Sequence, residues 1–315
     1  MDISELLQKM FYEKKLSAKQ FSTLRDIHSG KIFSFHRELR CFLYIGILLI
    51  VAGTGLTIRQ YLANLGDIAI ILSLTLCFTA AFFYCFIKAP PFATDEVASP
   101  HIAYDYVLFF GCAFFAMDIA YIETQFHILG DSWKSYLLIS SALFLLLAYR
   151  FDNRLVLSMA LSTLAAWFGF TLSDYRLSFE KYYREYAILY GIVVLLPGYL
   201  FRRLDIKKHF FDIYLNFAIH FLCIALISGI FEYKIFSLYF PSLLLVCAAL
   251  AFYSLKVPKF LYMLYAVVYG YIGSSIVMIN HIFGKTFFMF TYFIVTSLLV
   301  IGTIFIISRK LRENE

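Results

Sequence analysis

From Cys41 to Ser308 the chain alternates long apolar runs with short polar breaks, and the runs are apolar on all sides rather than along one stripe. A helix of that kind is covered by lipid or by other helices. Ten runs have roughly the 17–25 residues needed to cross a hydrocarbon core about 30 Å thick. They fall at 41–58, 66–87, 104–127, 135–149, 155–173, 186–201, 211–230, 235–254, 260–281 and 287–308. The sixth is short and contains Pro197, which a membrane helix tolerates when its neighbours satisfy the freed carbonyl. The predicted fold class is all-α: a polytopic transmembrane helical bundle of about ten spans occupying residues 41–308.

Residues 1–40 break this pattern. Ile3 to Tyr12 has apolar positions at helical spacing, and Ser17-Ala-Lys-Gln20 has the form of a capping box that opens a second helix ending near Gly30. A short N-terminal cytoplasmic helical hairpin is therefore predicted. Its apolar surface is too small to stand alone, so it is expected to dock on the membrane domain or on a protein partner. Residues 309–315 form a basic cytoplasmic tail.

Composition agrees with a chain that lives in the bilayer: 62% hydrophobic, 20% aromatic and 15% charged, whereas soluble domains carry about a quarter charged residues. The net charge of +6 is dispersed in short clusters between the runs, which argues against a nucleic-acid partner. Those clusters set the threading instead. With ten spans and a cytoplasmic N-terminus, 20 Lys and Arg lie inside and 7 outside; if the sixth run did not cross, the division would be 13 to 14. Both termini are thus expected in the cytoplasm. The six cysteines lie within or beside apolar runs, no Asn-x-Ser/Thr site occurs, and the polar N-terminus is not a cleavable signal peptide. A bacterial inner (plasma) membrane fits these features.

The unusual chemistry is in the third run, where Asp118, Glu123, Gln125 and His127 interrupt apolar sequence. A carboxylate near the middle of a bilayer costs roughly 2.5–3.5 kcal/mol on insertion scales, so Asp118 is expected to face the bundle or a water-filled cavity. Glu123 and His127 share a helical face at i and i+4, nearer the outer interface. Arg59 closes the first run and His281 the ninth at the same outer level, and Asn216 and His220 share a face of the seventh. Asp118, Glu123, Gln125, His127, Arg59 and His281 are the candidate substrate- or ion-binding residues. Gly46, Gly53 and Gly55 in the first run are expected to let a neighbouring helix approach. Asp152-Asn153-Arg154 and Arg202-Arg203 to Lys207-Lys208 are inner turns, with anionic lipid headgroups as expected partners. No Walker loop, zincin motif or nucleophile elbow occurs; no catalytic residue, cofactor or metal is implied.

The hairpin start at Ser17-x-x-Gln20, the Gly-rich YIGILLIVAGTGL (44–56), AYIETQFHILGDSW (120–133) and the basic turn leading to AAWFG (165–169) together resemble the bacterial domain-of-unknown-function 2157 family. Gln125-Phe126-His127 matches that family's Gln-aromatic-His element. The resemblance implies an inner-membrane protein with a small N-terminal helical region and many spans, and supplies no activity. Three readings follow: binding or transport of a small polar solute, ion or lipid-derived molecule through an outward-facing cavity; a non-catalytic partner, sensor or scaffold acting through the hairpin; and a lipid-modifying enzyme using Glu123 and His127.

Overall fold

The computed structural model describes residues 10–13, 20–21, 36–61, 66–128, 130, 133–174, 179–232, 238–257, 259–281 and 291–303. Within them the chain is all-helical. The ten membrane-region helices are α1 (His36–Tyr61), α2 (Asp67–Lys88), α3 (Ile102–Phe126), α4 (Ser135–Phe151), α5 (Arg154–Asp174), α6 (Phe179–Arg203), α7 (Phe211–Glu232), α8 (Tyr239–Lys256), α9 (Phe260–His281) and α10 (Thr291–Thr303). Seven of them, α2, α3 and α5 to α9, are long and apolar enough to cross a membrane. The apolar portions of α1, α4 and α10 are shorter, Phe42–Thr54, Ser135–Phe151 and Thr291–Thr303. Of the predicted N-terminal hairpin, Met10–Tyr12 and Gln20–Phe21 are helical, and the Phe11 and Phe21 rings stack at 4.7 Å. The rest of that hairpin lies outside the described residues.

The surface is that of a protein solvated by lipid. Leu72, Leu76, Leu146, Leu245 and Leu255 are each more than 60% exposed, alongside dozens of other large apolar side chains. In water such surface would drive association; in a bilayer it is the ordinary outer face of a span.

The sixth run is longer than its apolar core indicated. α6 begins at Phe179, so the amphipathic turns Phe179–Glu185 that read as an outer loop are helix, and Pro197 sits inside the helix without ending it. The charge at Arg184 set the expected boundary too late, because the fold satisfies that charge internally. The third run, conversely, stops early. α3 ends at Phe126, and His127 is its left-handed cap (φ 48°), its N–H bonding the Glu123 carbonyl at 2.9 Å.

Two compact units emerge, Met1–Ala89 with Pro100–Ile128, and Pro90–Ser99 with Leu129–Glu315. In the first, α2 packs along α3 and α1 packs on α3. Ile70, Leu74 and Phe114 form its core, and the pair is close enough that a Cβ on Gly111 would meet the Phe82 ring at 2.9 Å. Gly46 and Gly53 in α1 do not serve as expected: a Cβ on either meets nothing within 4 Å, so their notch is open among the described residues.

In the second unit, antiparallel pairs α4/α5, α6/α7 and α8/α9 succeed one another, and α7 is the hub that touches α5, α6, α8 and α9. Cys223, Leu243 and Tyr262 lie at the centre of its core. α9 meets α10 through Tyr271 to Thr296 and Ser275 to Tyr292 hydroxyl pairs, at 3.0 and 3.3 Å. The ten-residue segment Pro90–Ser99 joins α2 to α3 in sequence yet packs with the second unit, a placement that no apolar pattern marks.

Candidate functional site

In the first unit Asp118 is 4% exposed and its Oδ2 accepts a hydrogen bond from the Thr75 hydroxyl of α2 at 2.8 Å. Its Oδ1 has no partner among the described residues. One turn further along α3, the Tyr121 hydroxyl donates to Asp67 at 2.9 Å. The stripe Asp118 to Tyr121 is therefore a set of hydrogen bonds between α2 and α3, with apolar Leu74, Phe78 and Met117 around it. No other donor among the described residues converges on the carboxylate.

The remaining predicted residues do not gather on Asp118. Gln125 and His127 are exposed and Glu123 is half-buried. The helix ends at Phe126, and His127, its left-handed cap, keeps the backbone bond to the Glu123 carbonyl. Arg59 lies in α1 and His281 ends α9, but their side chains are outside the described set. Among the described residues no group of three His, Cys, Asp or Glu is placed to hold a metal ion.

Two polar constellations lie in the second unit. At the end where α4 turns into α5 and α6 into α7, Asp152 and Lys207 form a buried ion pair at 2.8 Å, with side chains 4% and 1% exposed. Asp152 is the left-handed cap of α4 (φ 55°), an orientation that a short polar residue adopts at low cost. Its carboxylate also accepts from the Val97 N–H at 2.6 Å and meets His209 Nε2 at 2.5 Å. Lys207 in turn donates from Nζ to the Asp95 carbonyl at 2.9 Å, and from its backbone N–H to the Thr94 carbonyl at 2.7 Å. Arg150 donates to the Pro90 carbonyl at 3.0 Å, and Arg154 pairs with Glu96 at 2.7 Å. Next to Asp152, Asn153 caps α5 by accepting from the N–H groups of Leu155 and Val156, both at 3.0 Å.

This network binds segment 90–99 across two inner turns as a strap. Lys207 is thus engaged by Asp152 and the strap, whereas Arg202 and Arg203 remain exposed. Residues 95, 152 and 207 are far apart in sequence, and no spacing signalled that they would meet.

At the other end of the unit, α6 and α7 enclose a cavity of about 270 Å³ lined by Tyr183, Arg184, Ala187, His220, Phe221, Ile224, Ala225 and Ser228. Arg184 is 2% exposed. Its guanidinium pairs with Glu232 at the end of α7, donates from Nε to Ser228 Oγ at 3.3 Å, and lies 4.4 Å from the Tyr183 ring centre. Tyr183 and Ser228 share a hydroxyl–hydroxyl hydrogen bond of 2.7 Å. Eight residues separate Ser228 from His220 along α7, about 12 Å at 1.5 Å per residue. The cavity thus runs from a charged end toward the middle of the helix.

There His220 Nδ1 meets the Tyr269 hydroxyl of α9 at 2.6 Å. Asn216, one turn beyond, is half-buried, and its buried Oδ1 has no partner among the described residues. The sequence had marked His220 and Asn216 but missed Arg184, Tyr183 and Ser228. The available signal was Arg184 in the first turns of an apolar run, opposite Glu232 at the end of the next. The cavity wall is mostly apolar, with Phe221 and Ile224 among its residues; the polar groups beside it are a guanidinium paired with Glu232, two hydroxyls bonded to each other and an imidazole bonded to Tyr269.

Residues 6–157 of the chain match the family model described as predicted membrane protein (DUF2157). Comparison with curated proteins and with solved structures found no match. The matched portion covers α1 to α4, the strap and the start of α5; the α6–α7 cavity lies beyond it.

Proposed function

We propose that this multi-pass membrane protein threads ten times through a bacterial plasma membrane with both termini in the cytoplasm, and binds a small carboxylate-bearing solute in an outward-facing cavity between α6 and α7. The 20 to 7 division of Lys and Arg supports the threading. By that threading the strap end is cytoplasmic and the Arg184 end faces outward. The observation that carries the binding reading is Arg184: an ionisable side chain 2% exposed in a membrane bundle, beside a cavity rather than sealed in packing.

A volume of about 270 Å³ equals roughly nine waters at about 30 Å³ each, enough for a molecule of several heavy atoms. Glu232, whose side chain is 58% exposed, holds the guanidinium from the mouth. An entering carboxylate takes the place of Glu232 on the planar donor fork of Arg184, and Ser228 and Tyr183 supply further hydrogen bonds. His220, deeper in, contacts the far end of the solute. This relocates the outward-facing cavity from α3, where the sequence put it, to α6 and α7.

Thermal unfolding of the purified protein with acetate, lactate, glycine and inorganic phosphate tests the reading. A carboxylate at 100 times its dissociation constant is expected to stabilise the folded state by about 2.7 kcal/mol. Ser228→Ala should weaken that response while the unliganded protein unfolds within a few degrees of wild type. Absence of saturable stabilisation by every carboxylate would overturn the proposal.

A further inference from the structure

A second cavity, of about 560 Å³, lies among α6, α7 and α8 and falls in the size class that holds drug-sized ligands, about 300–1,000 Å³. Its wall is apolar, with Leu195, Leu215, Leu222 and Leu245 prominent; the only polar side-chain atoms at its lining belong to Tyr199 and Tyr253. Along α7 the lining runs from Phe211, the first residue of that helix, to Leu222. Eleven residues at 1.5 Å each make about 16 Å, half of a hydrocarbon core about 30 Å thick. The groove therefore has the depth of one leaflet, starting at the helix end that carries the strap.

The mouth at that end is cationic, and its arginines are rooted on the groove's own aromatic residues. The Arg202 guanidinium lies 4.5 Å from the ring centre of Phe211 and 3.4 Å from the Tyr253 hydroxyl. Arg203 donates from Nε to the Tyr199 hydroxyl at 2.9 Å. Phe211, Tyr253 and Tyr199 all line the cavity. Both arginines are exposed, and the nearest acid on α7, Asp212, is engaged by Lys259 and the Tyr262 hydroxyl at 2.5 and 2.9 Å. The carboxylate of Asp205 is paired with Lys208 at 3.0 Å. Two guanidiniums without an acidic counterpart among the described residues thus stand over an apolar slot of leaflet depth.

We infer that this groove holds one anionic phospholipid, an acyl chain lying along Leu195, Leu215, Leu222 and Leu245 and the phosphate bound by Arg202 and Arg203. A transmembrane helix of a partner would fill the apolar slot but leave the paired cations unanswered. A phosphodiester answers both, since guanidinium binds phosphate oxygens in a bidentate fork and each CH₂ taken from water adds apolar stabilisation. Basic pockets between spans at the cytoplasmic level have the same chemistry. The lipid would brace α6, α7 and α8 without entering the Arg184 cavity.

The test is native mass spectrometry of the full chain in detergent, titrated with phosphatidylglycerol and, separately, phosphatidylcholine of the same acyl chains. Wild type is expected to retain one phosphatidylglycerol about tenfold more tightly than phosphatidylcholine, and Arg202→Gln/Arg203→Gln to reduce the preference to about twofold or less. Ala249→Trp, which places a large side chain on the exposed wall of the slot, should remove the retained lipid while circular dichroism and thermal unfolding stay close to wild type. Equal retention of the two lipids by wild type overturns the inference. So does a preference that survives the double arginine substitution. A dimer that Ala249→Trp breaks, with lipid retention unchanged, would assign the groove to a second copy of the chain instead.

Discussion

Removing the Asp152 carboxylate should detach the strap, and the size of the effect can be worked from what the carboxylate holds. Asp152 and Lys207 are 4% and 1% exposed, so Asp152→Ala leaves an ammonium in a site closed to water with only the Asp95 carbonyl as its remaining acceptor. The same substitution takes the acceptor from the Val97 N–H and the partner from His209. Breaking a buried pair by removing one member costs about 3–5 kcal/mol, because the other charge stays behind. Replacing both members removes that residual charge, so Asp152→Ala/Lys207→Met should recover at least about 2 kcal/mol of the loss. Both tryptophans, Trp133 and Trp167, belong to the second unit, so their fluorescence during sodium dodecyl sulfate titration in mixed micelles reports on the right part of the molecule. Limited proteolysis supplies an independent readout, with cleavage between Pro90 and Ser99 rising in Asp152→Ala. If Asp152→Ala unfolds within about 0.5 kcal/mol of wild type, or the double variant is less stable than the single, the strap is not held by this pair.

Gly198→Ala should destabilise the α6–α7 pair by about 1–3 kcal/mol, since its Cβ would meet the Tyr214 Cβ at 2.6 Å, an atom that cannot swing aside; the same mixed-micelle titration measures it. Tyr269→Phe removes the partner of His220 and should cost about 0.6 kcal/mol, the mean for hydrogen bonds between membrane helices, with a shift above about 2 kcal/mol contradicting a simple pairwise role. Asp118→Asn keeps an acceptor for the Thr75 hydroxyl, so folding and carboxylate-induced stabilisation should both remain within error of wild type; loss of ligand response would return the functional site to α3.

Long runs apolar on all sides were legible because nothing but lipid or other helices solvates such surface; among the described residues seven of the ten expected runs are helices long and apolar enough to cross a membrane, and the other three coincide with shorter apolar helices. Their ends were less legible, for physical reasons. A charge ordinarily marks where a span stops, but Arg184 is paired with Glu232 and hydrogen-bonded to Ser228, and α6 continues past it. His127 looked like one more helical position, yet it takes the left-handed cap that ends the helix. Asp118 was correctly singled out as a buried intramembrane carboxylate, but sequence holds no sign of whether a cavity or Thr75 awaits it. The strap was hidden more completely. Pro90 to Ser99 carries no periodicity, and its anchors Asp152 and Lys207 read as two unrelated polar turns until the fold brings them within 2.8 Å.

The central claim is that a water-accessible cavity opens beside Arg184 on the outer face. The most direct test is cysteine accessibility at Ser228, which lines that cavity, in a background with the six native cysteines replaced. In intact cells Ser228→Cys should be modified by a membrane-impermeant maleimide applied from outside, and carboxylate at saturating concentration should slow the modification. Protection of Ser228→Cys from the external reagent, or labelling only when the cytoplasmic face is opened, would contradict the account.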